Sequence, residues 1–170
     1  VTGAGRLQDG ATLNNTGTIN QSSSYQMVNN GTTLNNSGTY NIIANDYDIT
    51  NGVAGTPVIN NTATGVFRKT GGTAVSTVTG VAFNNLGTVE VHTGTLTLSN
   101  VQQLSGTSTV LAGGTWKAMA NSTLNISSGS NITTNRGNVT LNGVGSTFAK
   151  INSLATNEGG FAILNGRNFT

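Results

Sequence analysis

The side chains in this sequence that could perform acid–base chemistry are one histidine and two neighbouring carboxylates. His92 is the only histidine, so a multi-histidine metal site is excluded and at most one imidazole could act as a general base near neutral pH. Asp46 and Asp48 are two residues apart and could share one face of a strand, as paired carboxylates do in polysaccharide-cleaving enzymes. The simpler interpretations are an exposed His92 and a surface loop with an Asx-turn at 46–48. We expect no catalytic residue.

The sequence offers little to a metal ion or a cofactor. It contains no cysteine, which rules out disulfides and thiolate ligands. The 46–48 loop does not show the set of about six to eight oxygen ligands that calcium takes, and calcium binding there stays an open alternative. Two Gly-Gly-Thr segments, at 71–73 and 113–115, precede no helical pattern, so they are turns rather than phosphate-binding loops. We expect neither a metal ion nor a cofactor.

Two aromatic residues are candidate contacts for a glycan. Trp116 stands beside Lys117 and could offer an exposed platform on which a sugar ring stacks. Tyr47, between two aspartates, is the second candidate. The alternative for Trp116 is a place in the core, because large aromatic side chains dominate buried packing.

A repeated phrase indicates the scaffold that must position these residues. A large apolar residue is followed by Asn-Asn, a variable residue, Gly or Ala, and Thr, in four copies at 13–18, 34–39, 59–64 and 83–88. The copies are 21, 25 and 24 residues apart. Self-similarity at such an interval is typical of solenoids, and each interval suits one coil, meaning one full turn of a β-solenoid.

Residues 81–100 show how one coil is built. They contain three pairs of apolar residues, and the members of each pair are two apart and therefore point to the same side of a strand. Turn-forming Asn and Thr-Gly residues separate the pairs. The pattern predicts three short strands and three turns around an apolar centre. The residues expected to fill that centre are Leu13, Leu34, Ile59, Phe83, Val89, Val91, Leu96 and Leu98.

Beyond residue 100 the pattern continues in a diverged form. Apolar residues before a turn recur at Leu104, Leu124, Leu141 and Leu164, at steps of 21, 20, 17 and 23 counted from Phe83. We predict an all-β fold, a right-handed parallel β-helix of about eight coils of roughly 17–25 residues. It forms one solenoid over 1–170, regular over 11–100 and diverged over 101–170, and we expect it to be part of a longer chain. Segments 45–48 and 51–57 are extra length that should loop out.

Composition agrees with a narrow core repeated along an axis. The chain has 25 Asn, 29 Thr, 14 Ser and 24 Gly, and its 35% hydrophobic content lies below the roughly 45–50% of globular domains. A two-layer core would be thin. The net charge of +2 comes from scattered cations, whereas nucleic-acid binding needs a clustered basic surface. No apolar run approaches the roughly 18 residues of a membrane span. We therefore expect neither nucleic-acid binding nor a membrane span in this segment.

The paired asparagines suggest a stacked corner. Equivalent residues of successive coils lie above each other, so their side-chain amides can donate and accept along the axis as a ladder. We expect one ladder of the first asparagines, with the second asparagines lining the turn beside it. The two sets are Asn14, Asn35, Asn60 and Asn84, and Asn15, Asn36, Asn61 and Asn85.

The Asn-Asn-x-Gly-Thr phrase and the following segment 90–98, EVHTGTLTL, resemble repeats of large bacterial surface and secreted proteins. These are the filamentous-haemagglutinin-like adhesins and autotransporter passenger regions, and the resemblance covers residues 11–100. It implies an extracellular or cell-surface location and a non-enzymatic adhesin or structural stalk. Its partners would be glycans, a host or neighbouring-cell surface, or copies of itself. The resemblance brings no catalytic residues with it.

Three alternatives accompany this expectation. Open strand edges at the ends of a solenoid could pair between molecules, which would make the chain a self-assembling fibre subunit. Asp46 and Asp48 could serve a polysaccharide-degrading enzyme. Regular threonines on a flat solenoid face could bind ice by analogy, although the Thr-x-Thr pairs are expected at different points of successive coils.

Overall fold

The computed structural model describes residues 5–27, 31–51 and 55–169, and their regular structure is almost entirely short β-strand. Two 3₁₀ helices, Gln102–Leu104 and Ala149–Ser153, interrupt the strands. In chain order the strands are β1 (Gly5–Leu7), β2 (Thr12–Asn15), β3 (Thr18–Gln21), β4 (Tyr25–Met27), β5 (Thr33–Asn36), β6 (Thr39–Ile42), β7 (Ile49–Asn51), β8 (Val58–Asn61), β9 (Val66–Lys69), β10 (Val75–Thr79), β11 (Ala82–Asn85), β12 (Thr88–Val91), β13 (Gly94–Leu98), β14 (Val110–Leu111), β15 (Thr115–Ala118), β16 (Ser122–Ile126), β17 (Thr134–Asn135), β18 (Asn138–Asn142), β19 (Thr156–Asn157) and β20 (Gly160–Leu164).

The strands pair in parallel with the equivalent strands of the coils before and after them. The first face consists of β2, β5, β8 and β11, the second face of β3, β6, β9, β12, β15, β18 and β20, and the third face of β1, β4, β7, β10, β13 and β16. Strands β14, β17 and β19 form a short fourth sheet. The chain is thus an all-β parallel β-solenoid of about seven coils, which confirms the predicted fold class with one coil fewer than expected.

Alternation of inward and outward side chains along short strands explains this architecture. On β8, β11 and β12 every second side chain is buried, because successive side chains of a strand point to opposite faces. Aromatic rings pack between coils, with Tyr40 stacked on Phe67 at a centroid distance of 5.0 Å and Phe83 meeting Phe67 edge to face at 5.1 Å. The core is therefore a column one coil wide.

The residues expected to fill the centre lie there, with one exception at the end of the column. Leu34 is 1% exposed, and Ile59, Phe83, Val89, Val91, Leu96 and Leu98 are fully buried. Leu13 is only partly buried, because β2 is an edge strand of the first face among the described residues.

The predicted alignment of the third Asn-Asn phrase needs a correction. Val66, not Thr64, pairs with Thr39 and with Thr88. Gly65 is therefore the equivalent of the repeat glycine, and Ala63 and Thr64 are a two-residue insertion in the turn. Of the predicted longer insertions, 45–48 lies in a loop between β6 and β7, whereas residues 52–54 of the second fall outside the described part of the chain.

The predicted series in the second half is wrong, because its members lie on different faces. Leu124 pairs with Leu96 on the third face, Leu141 pairs with Ala118 on the second face, and Leu164 pairs with Asn142. Any apolar residue before a turn fits the pattern, since each of the three strands of a coil has one. Loops of unequal length between the faces then hide the true spacing.

Candidate functional site

The second asparagines of the phrase form a buried ladder inside the corner between the first and second faces. The Nδ2 of Asn15, Asn36 and Asn61 each donates to the Oδ1 of the next asparagine, at 2.6, 2.8 and 2.8 Å, ending on Asn85. Each amide also donates to the backbone carbonyl that starts the second-face strand of the next coil, for example Asn61 to Thr88 O at 3.0 Å. We call this series the inner ladder.

The first asparagines form a second series on the outer surface of the first face, which we call the outer ladder. Asn35 donates to Asn14 at 2.8 Å, Asn60 to Asn35 at 2.9 Å and Asn84 to Asn60 at 3.4 Å. Gln103 then donates to Asn84 at 3.0 Å. The outer ladder donates toward the N-terminal coil and the inner ladder toward the C-terminal coil, so their amide dipoles oppose each other.

A leucine takes the place of the asparagine in the coil after Asn85. The inner ladder begins again in the coil after that leucine. Leu111 is fully buried and pairs with Asn135, which in turn pairs with Asn157. Asn135 Nδ2 donates to Asn157 Oδ1 at 2.7 Å and to Gly160 O at 3.0 Å, which is the geometry of the first half. The sequence signal that could have found this is Asn-x-Gly, which recurs at 135–137 and 157–159 without the preceding asparagine.

Trp116 is not a glycan contact, which corrects that prediction. Its side chain is fully buried between Val89 and Val139 in the second-face register. The indole N–H donates to Gly113 O at 2.8 Å, which satisfies its polar atom inside the core. Tyr47, the other candidate, is partly buried and packs against the core.

The two loop carboxylates have different surroundings. Asp48 Oδ1 accepts the backbone N–H of Thr77 at 2.7 Å, so this carboxylate ties the 43–48 loop to β10. Asp46 is exposed with a φ of 53°, a left-handed conformation that Asp tolerates in turns. One carboxylate of the loop, that of Asp48, has a structural role. The arrangement therefore fits a surface loop better than a general acid–base pair. Among the described residues no group of three or more His, Asp or Glu side chains is placed to hold a metal ion.

The charged side chains of the second face gather around Glu90. Lys117 Nζ lies 3.0 Å from Glu90 Oε1, and His92 Nε2 lies 3.0 Å from Glu90 Oε2. Burial raises the pKa of Glu90, but the hydrogen bonds and charges of His92 and Lys117 outweigh it, so the pKa lies below its ordinary value. Glu90 is therefore ionised with both oxygens engaged. His92 is exposed, in agreement with the simpler interpretation.

Arg68 lies in the same outward column, one coil before Glu90. Asn41 Nδ2 donates to Asn20 Oδ1 at 2.7 Å, and Arg68 Nε donates to Asn41 Oδ1 at 2.6 Å. Arg68 thus leans along the axis toward the N-terminal coil and continues a third ladder. We call the outward side chains Asn20, Asn41, Arg68, Glu90, Lys117 and Thr140 the polar column of the second face.

On the third face, threonines of neighbouring coils do lie side by side. Thr77 pairs with Thr97, and Thr95 pairs with Thr123, which continues to Thr147 through an isolated bridge. The other Thr-x-Thr pairs lie on the second face, in turns or in loops. The expectation that the Thr-x-Thr pairs fall at different points of successive coils is thus wrong for this short patch. The patch is not continuous, because Val75 rather than a threonine pairs with Thr95.

One lysine is buried inside the solenoid, and sequence reasoning missed it. Lys69 is fully buried, and its Nζ donates to Ala44 O at 3.0 Å, Gly71 O at 2.8 Å and Ser76 Oγ at 3.2 Å. Burial lowers its pKa, and the charge of Asp46 offsets part of that effect. The ammonium therefore closes the corner between the second and third faces. The residue looked like one of several scattered cations because its inward position depends on the strand register.

We expect the stability contributed by Lys69 to rise with pH. The folded state loses the lysine proton below the ordinary pKa of 10.5, so above the lowered pKa the unfolded chain binds more protons and the free energy of unfolding increases. Urea unfolding of the wild type and Lys69→Met should show a deficit of about 2 kcal/mol at neutral pH, since two carbonyls lose a partner. The deficit should widen as the pH approaches 10.5.

The matched control for this experiment is Lys117→Met, which removes a lysine from the outer surface. Lys117 is partly exposed and its ion pair with Glu90 is of the surface type, which contributes less than about 1 kcal/mol. A deficit of Lys69→Met that narrows with rising pH, or one no larger than that of the control, contradicts the assignment of a buried ammonium.

Comparison with protein-family models, with curated proteins and with solved structures finds no match to this chain. Separately, no helix in the described ranges is long and apolar enough to cross a membrane. Function is therefore inferred from the geometry of the solenoid.

Proposed function

We propose that this chain is a non-enzymatic rod that acts outside a bacterial cell as an adhesin or structural stalk. The observation that supports this most is the second face, where seven parallel strands lie in one continuous register. At the roughly 4.8 Å between paired strands, seven strands give a sheet about 30 Å long. Its outward polar side chains repeat at the same interval, which suits many weak contacts along one line.

The internal structure supports a stiff rod. The inner ladder, the outer ladder and the parallel sheets all link each coil to the next, and among the described residues no buried side-chain nitrogen or oxygen lacks a hydrogen-bond partner. Because solenoid stability is the sum of coils and of interfaces between neighbouring coils, such linkage resists bending without a wide core. A stalk that holds a binding surface away from a cell needs this property.

The outer surface supports contact with hydroxyl-rich partners. Its threonines, serines and asparagines offer hydroxyl and amide groups on all three faces, and only 7% of the residues are charged. Sugar hydroxyls pair with such groups without the desolvation cost of burying a charge. Repetition along the axis would make the individual weak contacts multivalent.

A glycan array and a cell-adhesion assay with the purified chain test this proposal. We expect binding to at least one class of surface glycan, with apparent affinity that rises when the chain is displayed in several copies on a bead. Absence of binding both to the array and to bacterial or animal cells contradicts the adhesin. Glycan release without added enzyme would favour the polysaccharide-degrading alternative instead.

One observation favours the alternative that the chain is a self-assembling fibre subunit, and the same purified chain can be used to test it. Among the described residues β20 is one of the two edge strands of the second face, and Ile163 and Leu164 on it are 37% and 46% exposed. Edge strands of this kind invite pairing with another chain. Electron microscopy that shows fibres would favour a self-assembling subunit, and short monodisperse rods would contradict it.

A further inference from the structure

The guanidinium of Arg68 is held in a fixed position by one of its nitrogens. Its Nε donates at 2.6 Å to Asn41 Oδ1, and Asn41 is itself held by Asn20. Asn41 is 8% exposed, so the anchoring amide is buried beneath the arginine. An arginine fixed in this way loses less side-chain freedom when it binds a ligand, which favours affinity.

The two Nη groups of Arg68 have no partner among the described residues. Arg68 takes part in none of the ion pairs there, and Nε makes its hydrogen bond. The nearest carboxylate in the register, Glu90, directs its oxygens to Lys117 and His92 instead. The face of the guanidinium that suits a planar carboxylate is therefore free.

The charge and the neighbours of this position favour an acidic saccharide. Arg68, Glu90 and Lys117 together carry one net positive charge. In the adjoining outward column, Val66 stands beside Arg68, Thr39 lies in the coil before it, and Thr88 and Thr115 lie in the coils after it. Threonine hydroxyls therefore flank Arg68 in the coils before and after it. A ligand that combines a carboxylate with hydroxyl groups matches both features.

We propose that the polar column of the second face binds a carboxylate-bearing polysaccharide, with Arg68 as the residue that binds a carboxylate through both Nη groups. Arginine recognises carboxylates in this bidentate way because its donors match the two oxygens. Asn20 and Thr140 extend the contact surface to either side for the sugar hydroxyls. This inference rests on the proposed function and names the ligand class of that adhesive surface.

The test measures binding of the 170-residue chain to three polymers. Polygalacturonate oligomers carry carboxylates, dextran sulfate carries sulfates, and dextran is neutral. We expect polygalacturonate to bind, with an affinity that falls at high salt, and dextran not to bind. Arg68→Gln should weaken polygalacturonate binding about tenfold or more, and Arg68→Lys, which keeps the charge and loses the fork, should weaken it by a smaller factor.

Arg136→Gln is the matched control, because it removes the same charge from an exposed arginine that is paired with Glu158. We expect it to bind polygalacturonate like the wild type, and circular dichroism melting checks that each variant is folded. Equal losses in Arg136→Gln and Arg68→Gln, or binding to dextran sulfate without binding to polygalacturonate, overturn the inference. If neutral glycans bind and polygalacturonate does not, the inference fails while the adhesin proposal stands.

Discussion

Replacing Asn61 by alanine is expected to lower the melting temperature by about 10 °C. The side chain donates to Asn85 Oδ1 and Thr88 O and accepts from Asn36 Nδ2, so alanine removes three buried hydrogen bonds. Each lost bond costs about 1–2 kcal/mol, and a total near 4 kcal/mol corresponds to this shift for a chain of this length. Thermal unfolding followed by circular dichroism measures it.

Asn60→Ala is the control for this prediction, because it deletes the neighbouring asparagine from the outer ladder. Asn60 is half-buried and donates to Asn35 at 2.9 Å, but solvent can replace the lost partner. We expect a loss of about 1 kcal/mol and a shift of about 3 °C. Equal shifts in the two variants would show that the inner ladder has no special weight.

The difference between the two ladders depends on whether the strand continues through both asparagines of the phrase. Both are polar turn-formers, so the sequence does not show where the strand ends. Because β8 runs to Asn61 and Ile59 points inward, Asn60 points outward and Asn61 inward. Residue types thus predict the corner, whereas the relative burial of its members follows from where each strand ends and the chain turns.

Predictability is lower in the second half because coil length varies along the whole chain and the Asn-Asn phrase no longer marks equivalent positions there. From the first residue of one second-face strand to the next, the chain advances 21 residues between Thr18 and Thr39 and 27 between Thr39 and Val66. It advances another 27 between Thr88 and Thr115. Loops absorb these differences without disturbing the strand register, so a search for a constant period loses the alignment where the Asn-Asn phrase ends.

The residues of the polar column also could not be recognised as neighbours from the sequence. Arg68, Glu90 and Lys117 are 22 and 27 residues apart in sequence, and nothing local marks them as neighbours. Their alignment depends on the pairing of β9, β12 and β15. The cations are scattered along the sequence. On the second face, however, Arg68 and Lys117 lie in one column with Glu90.

The repeat glycine gives a second large effect, and its position in the rod determines the sign. A Cβ on Gly87 would collide with the carbonyl oxygens of Thr62 and Gly65 in the preceding coil, and backbone atoms held in a sheet cannot move aside. Gly17 occupies the same place in the first phrase, but a Cβ added there would have no neighbour within 4 Å. Neither glycine has a positive φ, so backbone conformation does not require glycine at either position.

We therefore expect Gly87→Ala to destabilise the chain by about 3 kcal/mol through steric overlap, with a fall of about 9 °C in melting temperature. Gly17→Ala should instead leave stability unchanged or raise it by about 0.5 kcal/mol, because alanine reduces the freedom of the unfolded chain. Thermal unfolding of the two variants side by side gives the comparison. Equal changes in melting temperature would mean that glycine is needed for the turn itself. Changes of opposite sign would mean that glycine is needed for the close stacking of one coil on the next.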